Sequence, residues 1–327
     1  MAATVVTFGE AMLRLSPAGR RRLEQVQLLE VWPAGAELNV AVGLARLGTP
    51  SAWVSRLPRN ALGQLVASQA RSHGVDTSRV RWDDGGRLGL YFVEVAAAPR
   101  ASAALYDRSG SSFARLEPDG FDWPTLLAGA RLFHTSGITP ALSEECARAT
   151  TEALAAARAA GCTTSYDLNF RAKLTTPELA RDFLGSVAGS VDVLLASAAD
   201  ATSVFGAEGT PLDVGTELRG HLGVPRVVVS ARVAGEAGTQ ARVSVSVGDE
   251  VDTVTSPAFG SVDPVGGGDA FCAGFLHGLL EEGARRGLEL GGAMAALKQS
   301  IPGDFPLVGP EEVEQLLAGT DGVRMTR

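Results

Sequence analysis

Short apolar runs alternate along this chain with segments of helical periodicity, and that alternation constrains the fold more than any other feature. Thr4–Phe8, Ala52–Ser55, Leu132–Thr135, Thr163–Leu168, Val191–Ala196 and Arg226–Ser230 read as buried strands. Helical patterns cover Glu37–Leu47, Leu62–His73, an Ala-rich stretch after the N-cap residue Ser143, Phe271–Leu280, about Leu288–Ser300, and Pro310–Leu317. Gly48, Gly74 and Gly161 close the first three, and Glu144 and Glu145 place negative charge where the helix dipole favours it. Repeated strand–helix units predict an α/β fold, a doubly wound and mostly parallel sheet with helices on both faces.

Residues of about 11–33 and 87–112 break the rhythm. They contain β-prone pieces such as Gly89–Val95 and Ala104–Tyr106, and form either a small separate sheet over the main one or two long loops. Long structureless loops are uncommon in compact domains, which favours the sheet, a lid. The 327 residues suit two average domains or one large α/β domain with an insertion. The reading adopted is one domain over 1–327 with a lid from these two stretches.

Twenty-nine Lys and Arg against 37 Asp and Glu give a net charge of −8, which argues against a general nucleic-acid or anionic-membrane surface. Cys146, Cys162 and Cys272 are odd in number and far apart, with neither metal-ligand nor disulfide spacing. The opening MAATVVTFGE lacks a basic segment and a long apolar core, and no run approaches a membrane span. A cytoplasmic protein with reduced thiols is the expectation.

The segment most informative about chemistry is Asp263-Pro264-Val265-Gly266-Gly267-Gly268-Asp269. Its glycines lead directly into a helix, so consecutive backbone amides can face one point where the helix N-terminus adds positive potential. A transferring phosphoryl group needs such an anion hole. Asp269 stands beside it, placed to take a proton from an attacking hydroxyl; the same residues also suit a plain glycine turn with an Asp cap. A Rossmann fingerprint would require glycine at Phe271, and a Walker A loop would require Gly-Lys-Ser/Thr, which is absent. The second segment runs from Ala34-Gly35 through Glu37 and Asn39 to Arg46-Leu47-Gly48. Asn39 offers a donor and an acceptor to a polyol, or serves helix capping and packing.

Together, in this order and at this distance, the two segments resemble the paired signatures of the ribokinase-like (PfkB-type) carbohydrate kinases. Within that family the chain is similar to the 2-keto-3-deoxygluconate kinases. Gly89-Leu90-Tyr91, Tyr106-Asp107-Arg108, His134–Thr139, Asp167–Leu174 and Ala296–Phe305 carry that likeness. The resemblance implies a β lid over the sugar, ATP as phosphoryl donor, Mg²⁺, Asp269 as the base, and oligomers that pair through the lid. It also implies a monovalent-cation site linked to Asp263.

In an open parallel sheet, ligands gather beyond the strand C-termini. Asn169 and Arg171, Ser197 and Asp200, and Ser230 and Arg232 each follow a strand, so all fall on one rim with Gly266–Gly268. Gly35, Asn39, Tyr91, Tyr106, Arg108 and Arg171 are the candidate sugar contacts, the tyrosines for a sugar face and the arginines for a carboxylate or phosphate. Asn169, Ser197, Ser230, Arg232 and Lys298 are the candidate nucleotide contacts, with Asp200 reaching Mg²⁺ through water. Where relatives carry Asn-x-x-Glu and Lys-x-Gly, this chain reads Ser197-Ala198-Ala199-Asp200 and Ser230-Ala231-Arg232. Where many carry a sugar-binding Asp, it has Arg14, which suits an acidic sugar or a surface position. The expected activity is phosphorylation of the terminal hydroxyl of 2-keto-3-deoxygluconate or a close aldonic acid. The alternatives are another sugar kinase such as a fructokinase, or a degenerate kinase fold that binds sugar or nucleotide without turnover.

Overall fold

The computed structural model describes residues 4–96, 99–117 and 120–319. Met1–Ala3 of the N-terminal reading, and residues 97 and 98 of the 87–112 stretch, lie outside the described residues. In chain order the strands are β1 (Val5–Phe8), β2 (Met12–Ser16), β3 (Glu30–Ala34), β4 (Ser51–Pro58), β5 (Val80–Asp83), β6 (Gly89–Glu94), β7 (Ala103–Asp107), β8 (Leu132–Ser136), β9 (Thr163–Asp167), β10 (Val193–Ser197), β11 (Arg226–Ala234), β12 (Gln240–Val247) and β13 (Val251–Thr255). The helices are α1 (Ala36–Arg46), α2 (Ala61–Ser72), α3 (Trp123–Leu126), α4 (Glu144–Ala159), α5 (Pro177–Val187), α6 (Ala198–Phe205), α7 (Pro211–Leu222), α8 (Gly267–Glu281), α9 (Ala284–Lys298) and α10 (Pro310–Leu317).

Nine strands form the larger sheet, in the order β13-β12-β11-β10-β9-β8-β1-β4-β5. It is parallel from β5 to β11, and β12 and β13 complete it antiparallel. The first strand lies in the interior because Val-Val-Thr-Phe is buried on both faces. Val5 packs with Val40 and Leu44 of α1 and Phe271 and Phe275 of α8, whereas Val6 and Phe8 pack on the other face with Leu154 and Leu184. β1 sits between β4 and β8, so the strand order reverses beside it and opens a crevice at the strand C-termini. Helices α8 and α9 approach closely along glycines. A Cβ on Gly274 would lie 2.6 Å from the Leu290 carbonyl oxygen, and one on Gly291 would lie 2.8 Å from that of Phe271.

The stretches that break the helical rhythm build a second sheet, ordered β3-β2-β6-β7. Its register places Arg14, Trp32, Tyr91 and Tyr106 on one face and Val31, Leu15, Phe92 and Leu105 on the other. The first face carries the stacked Tyr91–Tyr106 pair, with ring centroids 5.6 Å apart. The second leaves Leu105 60% and Val31 46% exposed. Among the described residues no helix is long and apolar enough to cross a membrane.

Candidate active site

The glycine turn ends in a left-handed residue, Gly266 at φ 80°, which caps α8 with no side-chain partner. A side chain there would strike the Asp304 carbonyl. Among the described residues, the backbone N–H groups of Gly266, Gly267, Gly268 and Asp269 have no acceptor, while the next amide, Ala270, bonds the Gly266 carbonyl at 2.9 Å. Free amides and helix dipole therefore converge at one end of α8. Asp269 is in the first turn of that helix. Burial pushes its carboxyl up to about 6, against the hydrogen bond from Asn39 and the charges of Arg171 and Lys298.

Asn39 reaches Asp269 from α1, donating from Nδ2 to Oδ2 at 2.6 Å. Its Oδ1 is buried without a hydrogen-bond partner. Gly35 precedes this helix because Glu10 and Ala11 leave no room for a Cβ. Two positions later in α1, Glu37 accepts from the Ser136 amide, the Ser136 hydroxyl and the Thr139 hydroxyl. Burial drives Glu37 up to about 7 despite those bonds.

These groups open onto a cavity of about 790 Å³ bounded by the second sheet, α1, the α8 N-terminus and the ends of β9, β10 and β11. Gly35, Asn39, Tyr91, Tyr106, Arg108, Asn169, Arg171, Ser197, Asp200, Ser230, Arg232, Gly266, Gly268 and Asp269 all line it. Gly267 and Lys298 are not among its walls. Gly267 packs against the Gln299 side chain, and the Lys298 ammonium is held by the Ile301 carbonyl at 2.9 Å.

The structure gives the sugar-facing residues unequal freedom. Tyr91 is 5% exposed and donates its hydroxyl to Asp304. Arg108 is neutralised by buried Glu10, which also accepts from the Ser111 hydroxyl. Arg171 is exposed and, among the described residues, its guanidinium has no hydrogen bond or ion pair, although its carbonyl accepts from the Leu174 and Thr175 amides. Arg14 is neither a surface residue nor a cavity wall: it is 2% exposed and pairs with Asp263 at 2.8 Å and Asp304 at 3.0 Å. A guanidinium between two carboxylates stays buried because its charge is matched.

On the opposite wall, Asn169 follows β9 at φ 39°, the one positive-φ residue other than glycine among the described residues. Such strain gathers at ligand sites, and Asn tolerates it better than most residues. The Ser197 hydroxyl caps α6 by accepting from the Asp200 amide at 3.0 Å. Ser230 accepts from Arg242 at 2.7 Å. Arg242 has no counterpart in the sequence reading. It is 6% exposed, lies over the Phe271 ring at 5.4 Å and pairs across strands with Arg232. Burial and the Arg232 charge lower it to about 10, and its Nε is buried and unpaired. Only an arginine set one position before a Val-Ser alternation hints at this in the sequence. Glu10, Glu37, Asp167 and Asp304 are further wall carboxylates with no assigned role in that reading.

Burial, with the charges of Asp269 and Asp200, raises Asp167 to about 8, and burial raises Asp200. Among the described residues no three His, Cys, Asp or Glu side chains form a metal cage. Two crowded carboxylates in a polar cavity fit Mg²⁺, which keeps several waters and binds through one or two carboxylates and substrate phosphates.

The pfkB family carbohydrate kinase profile matches residues 2–303. This chain belongs to the pfkB family of carbohydrate kinases. The kinase is 42% identical over 322 residues to 2-dehydro-3-deoxygalactonokinase of Haloferax volcanii, covering 98% of each chain. It is 31% identical to 2-dehydro-3-deoxygluconokinase of Thermoproteus tenax, covering 96% of this chain and 94% of that one. The crystal structure of 2-dehydro-3-deoxygluconokinase from Thermotoga maritima superposes with a TM-score of 0.90 at 35% identity, covering 98% of this chain and 99% of that one. The nine-stranded sheet and the four-stranded sheet of this kinase are thus the α/β architecture of a family of sugar phosphotransferases.

Proposed function

We propose that this carbohydrate kinase transfers the γ-phosphoryl group of ATP to the terminal hydroxyl of a 2-keto-3-deoxy sugar acid. The observation that carries this is Asp269, bonded by Asn39 and standing at a helix end whose first amides are free. With a pKa near 6, Asp269 is mostly ionised at neutral pH and accepts the hydroxyl proton as the oxygen attacks. The amides of Gly266–Asp269 receive the negative charge that develops on the transferred group. Asn39 fixes the carboxylate, and its unpaired Oδ1 takes a substrate hydroxyl. Arg171, whose guanidinium has no partner among the described residues, meets the sugar carboxylate, while Tyr91 and Tyr106 cover the sugar from the second sheet. In this reading that sheet is the lid, and it excludes water from the transfer.

Arg232, Arg242, Ser230 and Asn169 form the donor side of the cavity. Asp200 and Asp167 would hold Mg²⁺ through water, and the ion would neutralise β- and γ-phosphate charge when bound. The outer row of the lid, Val31, Leu15, Phe92 and Leu105, is the surface on which a second copy of the chain pairs. Release of ADP from ATP in the presence of each of a panel of keto-deoxy sugar acids and neutral sugars tests the assignment. The reading requires turnover on the acids and its loss in Asp269→Asn.

A further inference from the structure

Beneath the glycine turn lies a charged cluster, Lys298, Arg14, Asp263 and Asp304, of which only Asp304 reaches the cavity wall. Lys298, the last residue of α9, is fully buried, and its ammonium bonds the Ile301 carbonyl at 2.9 Å. Its Cε would lie 3.2 Å from a Cβ on Gly266, so the charge sits directly under the anion hole. Asp263 and Asp304 stand near enough to attract it without ion-pairing to it, and the Arg14 guanidinium bridges both carboxylates at 2.8 and 3.0 Å. Both Asp263 oxygens are already used: Oδ1 accepts from the Val265 amide at 3.1 Å, and Oδ2 from the Gly303 amide at 3.0 Å and from Arg14. The Gln299 carbonyl accepts from the amides of Val262 and Asp263, tying the same two loops together.

A monovalent metal ion linked to Asp263 does not fit these residues. It would need carboxylate and carbonyl oxygens that already have donors. Two fixed cations also balance two buried carboxylates, so a third cation would be uncompensated in a dry site. We propose that the Lys298 ammonium, supported by Arg14, is a built-in cation that holds the glycine turn in its anion-binding shape, so that this kinase works without a monovalent metal ion. Lys298 is a positioning residue here, acting through the amides of Gly266–Asp269.

The inference rests on the proposed phosphotransfer only for its activity readout, so a second readout is independent of substrate. Wild type and the Lys298→Met and Lys298→Arg variants are compared in potassium, sodium and tetramethylammonium chloride at equal ionic strength, by sugar-dependent ADP release and by thermal midpoint. Wild type is expected to show the same rate and the same midpoint in all three salts. Lys298→Met should lose about tenfold or more in tetramethylammonium, regain part of it in potassium, and melt higher in potassium. Lys298→Arg should keep its indifference to the salt. Potassium-dependent activation or stabilisation of wild type would overturn the proposal. So would a Lys298→Met enzyme as active as wild type in tetramethylammonium, or one that potassium restores in neither rate nor midpoint. Should Lys298→Met fail to fold, the wild-type midpoint decides alone. If no sugar in the panel is turned over, the phosphotransfer reading fails, while the midpoints still judge the built-in cation.

Discussion

The Asn39 side-chain amide donates to the Asp269 carboxylate at 2.6 Å, across 230 residues of sequence, and joins the two segments that carry the family likeness. That bond stabilises the ionised carboxylate. In its absence the pKa of Asp269 rises from about 6. Asn39→Ala should therefore move the acidic limb of the kcat/KM profile to higher pH and lower kcat at neutral pH, by roughly tenfold to a hundredfold. A pH–rate series on wild type and variant checks this, and a limb that stays in place would detach Asn39 from the base.

Arg171 and Arg232 should separate the two substrates. Arg171→Ala removes a cation that no carboxylate among the described residues neutralises by contact, so KM for the sugar acid should rise by about tenfold or more with KM for ATP unchanged. Arg232→Ala should do the reverse. Two-substrate kinetics reads both, and equal effects on both KM values would contradict the assignment of cavity walls.

Stability should fall as pH rises from about 4 to 8. Burial raises Asp269 to about 6, Glu37 to about 7 and Asp167 to about 8. Each is a carboxyl whose folded pKa exceeds its unfolded one, so its neutral form favours the folded state at low pH. That contribution is complete below the unfolded pKa of about 4, is lost progressively up to the folded pKa, and does not change above it. Thermal midpoints across this range should decline, and Glu37→Gln should flatten the decline between about pH 4.5 and 7 while keeping the hydrogen-bonded position filled. A midpoint that rises over the same interval would count against it.

The outer row of the second sheet, proposed above as a lid, predicts pairing. Leu105, 60% exposed, should be covered by a second copy, and Leu105→Glu should convert a dimer to a monomer in sedimentation velocity. A wild-type monomer at micromolar concentration would remove this surface from the account.

The parallel strands β1, β4, β8, β9, β10 and β11 were legible because a parallel strand buried on both faces lacks a solvent-facing polar row, whereas the edge strand β5, partly exposed, was not. β12 escapes that pattern: its alternate residues Ser244 and Ser246 are buried serines, so the polarity that usually marks a solvent face is hidden. The glycine turn and Asn39 were legible because anion binding demands glycines at a helix entrance. The neutralisation of Arg108 by Glu10 was not, nor was the burial of Arg14, since both depend on partners 98 and 290 residues away. Lys298 shows the same limit. Its motif marks it as informative, but whether a lysine faces nucleotide or lies beneath a turn is decided by the Ile301 carbonyl that receives it.

The central claim is that Asp269 drives phosphoryl transfer to a sugar acid. Its most direct measurement is ADP release with ATP and Mg²⁺ against 2-keto-3-deoxygluconate, 2-keto-3-deoxygalactonate, fructose, ribose and adenosine, for wild type and Asp269→Asn. The account predicts turnover on the keto-deoxy acids, and a variant that folds normally with kcat lower by about a hundredfold or more. Turnover retained in Asp269→Asn, or a wild type that binds ATP and phosphorylates none of the sugar acids, would contradict it.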